Sequence, residues 1–134
     1  MNSEEQKIKI PSSDLPRLVV VGGGFGGLKF LKKIDTKKYQ VVLLDRYNYH
    51  TFQPLLYQVA TAGLEPDSIA GPLRKSFQKC KNLFFRMATV NNIDASAKVI
   101  STNIGEVSYD HLVLACGSLT NFFGNKEFEE RSFP

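Results

Sequence analysis

An α/β fold, a parallel sheet backed by helices and crossed by an antiparallel β-meander, is what this sequence predicts, on three observations. The stretch RLVVVGGGFGGLKFLKKIDTKKYQVVLLD, from Arg17 to Asp45, reads as strand, glycine turn, amphipathic helix and second strand. Two more apolar runs, Leu83 to Ala88 and His111 to Gly117, have the length and continuity of buried strands. Between them TVNNID, KVISTN and EVSY, punctuated by Ala95-Ser96-Ala97 and by Gly105, have the pattern of a small meander. The order βαβ, helix, strand, meander, strand is that of a parallel sheet carrying an antiparallel crossover.

Taken in order, residues 1–16, MNSEEQKIKIPSSDLP, lack the apolar run of a secretion signal and predict a short flexible lead-in. The first strand then ends in Gly22-Gly23-Gly24-Phe25-Gly26-Gly27. In a G-x-G-x-x-G turn, Gly22 permits the tight bend and Gly24 lets the backbone approach a pyrophosphate. Gly27 lets the helix pack closely on the sheet. The helix beginning near Phe25 has Leu28, Leu31 and Ile34 on one face, with Lys29, Lys32 and Lys33 off it. Its unpaired N–H groups and positive dipole end suit phosphates. Asp45 closes the second strand roughly 20 residues past the turn, where a carboxylate accepts the hydroxyls of an adenosine ribose. Glycine turns alone are common; the preceding strand, the following helix and the closing acid make this a Rossmann-like dinucleotide-binding fingerprint. Arg46 opens a role for a 2′-phosphate, and hence NADP. Asp45 argues for a free 2′-hydroxyl, as in NAD or the adenosine half of FAD.

After Asp45 a polar, aromatic loop runs to Pro54, which suits the first turn of a helix carrying Leu55, Leu56, Val59 and Ala60 and stopping at Gly63. Asp67 or Ser68 caps a further expected helix through Ile69, Leu73 and Phe77, interrupted by Pro72. Beyond the strands, the tail from Ser118 shows no period and stops at Pro134 without a terminating element, so the chain reads as cut short. The expected organisation is a partial nucleotide-binding domain over 17–124, with 125–134 beginning the connection to a further domain.

With 134 residues, 43% hydrophobic and 22% charged, the chain has the composition of one soluble globular domain. No apolar run approaches the ~18 residues of a membrane span, and the expected compartment is cytoplasmic. The net charge of +4 comes with lysines between Lys29 and Lys38 and basic residues between Arg74 and Lys81, which read as solvated helix faces. No stripe of basic and aromatic residues points to nucleic acid; a weak attraction to anionic lipid is equally compatible with the charge. Cys80 and Cys116 form no C-x-x-C pair and have no histidine at metal spacing, which argues against a redox dithiol or a zinc site. Cys80 reads as a small residue at a helix end.

Three segments in order, VVVGGGFGGL, NYHTFQPLLYQVATAGL and YDHLVLACGS, resemble the amino-terminal part of the flavoproteins with two dinucleotide domains. The middle one is most similar to the type II NADH:quinone oxidoreductases, and the resemblance covers about residues 17–124. It implies a first domain holding FAD and a second, beyond this chain, holding NADH. NADH would pass a hydride to FAD, and the electrons would go on to a quinone. It further implies a peripheral place on the cytoplasmic face of the membrane through a carboxy-terminal region, a homodimer, and no turnover by these 134 residues alone.

Carried over by residue, Gly22, Gly23, Gly24, Phe25 and Gly26 would line the FAD pyrophosphate, with Gly27 packing the helix. Asp45 and Arg46 would meet the adenosine ribose and its edge, and the backbone of Val90 would touch adenine. Tyr109-Asp110 through Ala115-Cys116-Gly117 would return the chain beneath FAD, with Cys116 replacing the usual threonine as a packing residue at a buried turn. For His50, Gln53, Pro54 and Thr61 two readings stay open, lining of the flavin or loop capping and packing. His111 reads as structural. No residue stands out as acid, base or nucleophile, as expected where the cofactor carries the hydride chemistry. The alternatives are a sulfide:quinone or ferredoxin-type reductase of the same architecture, or a non-catalytic nucleotide-binding module. Sulfide chemistry needs catalytic cysteines, and neither Cys80 nor Cys116 is obviously placed for it.

Overall fold

The structure, a computed structural model, describes residues 7–132; residues 1–6 of the expected lead-in and 133–134 of the expected connection lie outside it. Strand β1 (Arg17–Val21) leads through α1 (Phe25–Leu31) to β2 (Gln40–Asp45). A two-stranded ladder of β3 (Tyr49–Thr51) and β4 (Ala70–Pro72) encloses two 3₁₀ turns (Gln53–Leu55 and Pro66–Ser68) and, between them, α2 (Leu56–Ala60); α3 (Leu73–Ser76) follows. Then come β5 (Leu83–Met87), the meander β6 (Val90–Asp94), β7 (Val99–Thr102) and β8 (Gly105–Ser108), β9 (His111–Leu114), and α4 (Lys126–Arg131).

The central sheet has the order β5-β2-β1-β9, and every pairing in it is parallel. That explains why Val41, Val42, Leu43 and Leu44 form a continuous apolar run: all four are fully buried, as in a strand covered on both faces. Alternate side chains divide between two cores. Leu18, Val20, Val41 and Leu43 meet Leu31, Leu73 and Phe77 on the helix side. Val19, Val21, Val42 and Leu44 meet Ile100 and Val107 of the meander on the other. Each such side chain contributes about 1.5–3 kcal/mol when buried, so the sheet is the rigid middle of three layers.

Four expectations change. The lead-in is tied down from Lys7 onward: Ile8 is buried, and its N–H donates to the Glu106 carbonyl at 2.9 Å beside a bridge between Lys7 and Glu106. The Gln40 amide donates to the Pro11 carbonyl at 2.7 Å. The helix expected from Asp67 through Phe77 is broken in two by strand β4. Pro72 closes that strand and stands as the N-cap of the short α3, because its fixed φ favours the first turn but it cannot continue a helix from behind. The helix expected to run up to Gly63 is shorter, α2 ending at Ala60; Ala62 takes the left-handed turn (φ 57°) and the Gly63 N–H donates to the Gln58 carbonyl at 2.7 Å. The tail does hold a helix, α4, whose Asn125 side chain accepts the Phe128 N–H at 3.2 Å.

Candidate functional site

The chain steps from β1 outward to β2 and β5, then returns to pair β9 on the opposite side of β1. Where the strand order reverses in this way, the crevice beyond the carboxyl ends of the strands is the usual ligand site of an open α/β sheet. The glycine turn, residues 22–27, lies there, because it follows directly on β1.

Gly22, Gly23 and Gly27 each answer a different contact. Gly22 has φ +104°, and a Cβ on it would lie 2.3 Å from the Ala115 carbonyl oxygen. Its N–H donates to the Leu44 carbonyl at 2.8 Å, while the Ala115 N–H donates to the Val21 carbonyl at 2.8 Å. The turn is thus clasped by both neighbouring strands. A Cβ on Gly27 would lie 1.9 Å from the Gly22 carbonyl oxygen, so only glycine lets α1 come down on the end of β1. Gly23 is buried; its N–H donates to Asp45 Oδ2 at 2.6 Å, and a side chain on it would strike Leu73 at 2.6 Å. At Gly24 a Cβ would meet no protein atom within 4 Å, and at Gly26 only the Ala115 methyl at 3.9 Å. Glycine at 24 and at 26 is therefore unexplained by packing within the described residues.

No side chain caps α1 and its first turn carries no acid. The first bond of the helix is from the Leu28 N–H to the Gly24 carbonyl at 2.9 Å, so the N–H groups of Phe25, Gly26 and Gly27 lie before the first intrahelical acceptor. Asp45 anchors the neighbouring loop as well: Oδ1 accepts the Tyr47 N–H at 2.8 Å, and its carbonyl accepts the Ala88 N–H at 2.8 Å. A carboxylate has about four acceptor sites, which leaves capacity for ribose hydroxyls. An anion over Gly24, held by backbone N–H groups, and a ribose beside Asp45 fit these residues. Gly24, Phe25 and Gly26 are all exposed, so the turn is an open shelf; a depression lined by Arg74, Phe77 and Gln78 lies apart from it, beside α3.

The remaining expected residues fall unevenly around this shelf. Val90 opens β6 just past the Ala88 contact with Asp45, its side chain packed on the meander-side core and its strand bulged before Asn92. Arg46 is exposed, its guanidinium 5.7 Å from the centre of the Tyr47 ring, which stacks on Tyr49 at 5.3 Å. Ala115 abuts Gly22, and Gly117 takes φ +71°. Cys116 is exposed, with Sγ 3.9 Å from the Val21 carbonyl, which corrects the expectation of a buried turn there.

The loop after Asp45 contributes more than the sequence suggested. Strand β3 carries His50 edge-on against Phe25, ring centres 4.8 Å apart, and Phe52 packs on the same ring at 5.5 Å. The aromatic and β-branched run YNYHTF was the available signal for a strand. Gln53 and Pro54 begin the first 3₁₀ turn, and the Thr61 hydroxyl donates to the Tyr57 carbonyl at 2.9 Å, closing α2. His111 lies edge-on to Tyr39 at 5.7 Å, and neighbouring Asp110 accepts the Arg17 N–H at 2.6 Å, both at the amino end of the sheet and away from the turn.

The family model described as pyridine nucleotide-disulphide oxidoreductase matches residues 16–133. The type II NADH:quinone oxidoreductase Ndh of Mycobacterium tuberculosis is 38% identical over 118 residues, covering 85% of this chain and 26% of that protein. A type II NADH:quinone oxidoreductase of Staphylococcus aureus is 29% identical over 126 residues, 91% of this chain and 31% of its own length. Among solved structures, NDH2 from Plasmodium falciparum in complex with NADH superposes with a TM-score of 0.80 at 27% identity, over 86% of this chain and 25% of that one. The sulfide:quinone oxidoreductase of Aquifex aeolicus gives 0.76 at 27%, over 84% and 27%. This chain thus spans about a quarter to a third of the length of these relatives. The match covers nearly the whole described chain, glycine turn included, and places it: the chain belongs to the pyridine nucleotide-disulphide oxidoreductase family.

Proposed function

We propose that this chain is the FAD-binding part of a type II NADH:quinone oxidoreductase, peripheral on the cytoplasmic face of the membrane that holds the quinone. The observation that carries the reading is the 38% identity to such an enzyme over 85% of the chain. The open approach to Gly24 supports it. FAD, when bound, supplies the acceptor for a hydride from NADH and the donor of electrons to quinone. The protein's part is binding and orientation. The N–H groups of the first turn of α1 hold the pyrophosphate, and Gly22 and Gly27 keep that turn pressed between β1 and β9. Asp45 accepts the ribose hydroxyls with Arg46 beside it, and the Val90 backbone faces adenine. Ala115 and Gly117 form the floor on the β9 side.

Two experiments test this. Titration of the chain into FAD, FMN and NADH, read by fluorescence, is expected to give FAD the tightest binding, since it alone combines a flavin with a pyrophosphate and an adenosine. Equal indifference to all three removes the cofactor role. The chain is then exchanged for the matching quarter of the Mycobacterium tuberculosis enzyme. Quinone reduction driven by NADH, and not by sulfide, is the expected result. Turnover with sulfide alone would move the assignment to the sulfide:quinone reductases.

A further inference from the structure

Away from the glycine turn, a depression of about 440 Å³ lies between the α3 segment and β5. Arg74, Phe77 and Gln78 line it on one side, and Leu83, Phe85 and Arg86 on the other. Because β5 is the end strand of the sheet, alternate residues of its backbone face outward. The Asn82 carbonyl accepts the Val41 N–H and the Ala88 N–H donates to the Asp45 carbonyl, both on β2, which turns Leu83, Phe85 and Met87 away from that strand. The outward Phe85 carbonyl accepts Arg86 Nη1 at 2.9 Å, while Arg86 Nε and Nη2 both donate to the Lys9 carbonyl. Arg86 is half-buried and is thus fixed by carbonyl oxygens alone. The Arg74 guanidinium lies 5.8 Å from the centre of the Phe85 ring and makes no hydrogen bond among the described residues. Neither arginine has a carboxylate partner among those residues, and no acid lines the depression.

We propose that this depression is a binding site for a small aromatic carboxylate. A guanidinium is a planar fork that matches a carboxylate, and here two of them border one apolar wall with their charge uncompensated. Phe77, Leu83 and Phe85 supply the apolar surface against which a ring packs. The exposed Gln78 amide adds a further donor at the rim. The volume falls within the roughly 300–1,000 Å³ of small-molecule sites. An open sheet edge also invites an added strand, but such a strand would meet a Phe85 carbonyl already taken by Arg86 and the Arg74 side chain over the same residue. None of the residues of the glycine shelf lines the depression, so the site is independent of the flavin reading.

Fluorescence titration of 2-naphthoate with the unaltered chain, which has no tryptophan to compete with the probe, tests it. Saturable binding is expected, with the neutral 2-naphthamide at least about tenfold weaker because it forgoes the charged hydrogen bonds. Arg74→Ala, at an exposed position, is expected to weaken naphthoate binding roughly 10-fold to 100-fold through loss of one charge-assisted contact, and Arg74→Lys to recover part of it. Arg86→Gln, compared where its circular dichroism is native, weakens binding in the same way. Arg131→Ala, outside the depression, leaves the affinity unchanged. Saturating FAD also leaves it unchanged, whether or not FAD occupies the glycine turn. Absence of saturable binding, equal affinity for naphthamide, unaltered affinity in Arg74→Ala, or displacement of the probe by FAD each overturn the proposal. Tighter capture of polyglutamate, lost in Arg74→Ala, overturns it in favour of an acidic peptide.

Discussion

Substituting Gly24 and Gly27 separately parts the cofactor role of the turn from its structural role. At Gly24 a Cβ meets nothing within 4 Å, and φ −75° with ψ −165° is open to any residue. Gly24→Ala therefore costs folding only the N-cap preference for glycine over alanine, about 0.5–1 kcal/mol. At Gly27 a Cβ lies 1.9 Å from the Gly22 carbonyl oxygen, which is backbone clasped between β2 and β9 and unable to yield. The helix must instead move by more than about 1 Å to reach ordinary contact distance. That shift loosens Leu31 in the core, so overpacking and lost burial together cost about 2–4 kcal/mol. For binding the order inverts. The new methyl of Gly24→Ala stands in the approach to the pyrophosphate. Loss of two charged N–H bonds, about 1.5–3 kcal/mol each, weakens FAD binding by roughly 100-fold to 10,000-fold. Urea unfolding followed by circular dichroism, paired with FAD fluorescence titration, reads both quantities. Wild-type FAD affinity in Gly24→Ala, or a wild-type urea midpoint in Gly27→Ala, would refute the division of roles.

Three further outcomes follow from the same geometry. Asp45→Ala strands the Gly23 and Tyr47 N–H groups and is expected to lower stability by about 1–3 kcal/mol; Asp45→Asn keeps one acceptor and should lose less than half as much in the same urea assay. Leu43→Ala opens a cavity in a fully buried strand and should cost about 2–5 kcal/mol, measured as a lower melting temperature. Asn125→Ala removes a cap worth about 0.5–2 kcal/mol from a helix with no buried residue. Amide exchange at Phe128 should rise while the urea midpoint stays put, and a lowered midpoint would mean that α4 is coupled to the core.

The legible parts of the fold are those whose signal is local. The run Val41 to Leu44 admits only a strand covered on both sides, and the glycines at 22, 24 and 27 mark a turn between strand and helix. Both are as the pattern implies. What escaped depends on distant partners. Strands β3 and β4 have three residues each and exist only because Tyr49, His50 and Thr51 find Pro72, Gly71 and Ala70. Helix periodicity across Ile69, Leu73 and Phe77 was real, since all three are buried. It arises from a strand edge followed by a single helical turn, and Pro72 was the better guide to the break. Ile8 gave no warning in a polar lead-in; its burial is set by the open edge of β8.

The glycine fingerprint is less local than its spacing implies. Gly22 must lack a side chain as much because of the Ala115 carbonyl, just past β9, as because of its own positive φ, and Gly23 because of Leu73 of α3. The acid that closes β2 holds the turn through the Gly23 N–H before any ribose could reach it. Residues of β2 and α3 and the residue after β9 thus press on a turn of six consecutive residues. Gly24 is left with no protein atom within 4 Å of a Cβ and Gly26 with a single ordinary contact, so these two positions stay open while Gly22, Gly23 and Gly27 are closed in. Long-range contacts of this kind form slowly, since loop closure precedes their gain. The turn is therefore completed by the fold as a whole: with β9 paired beside β1, the Ala115 carbonyl closes on Gly22 and leaves room there only for glycine.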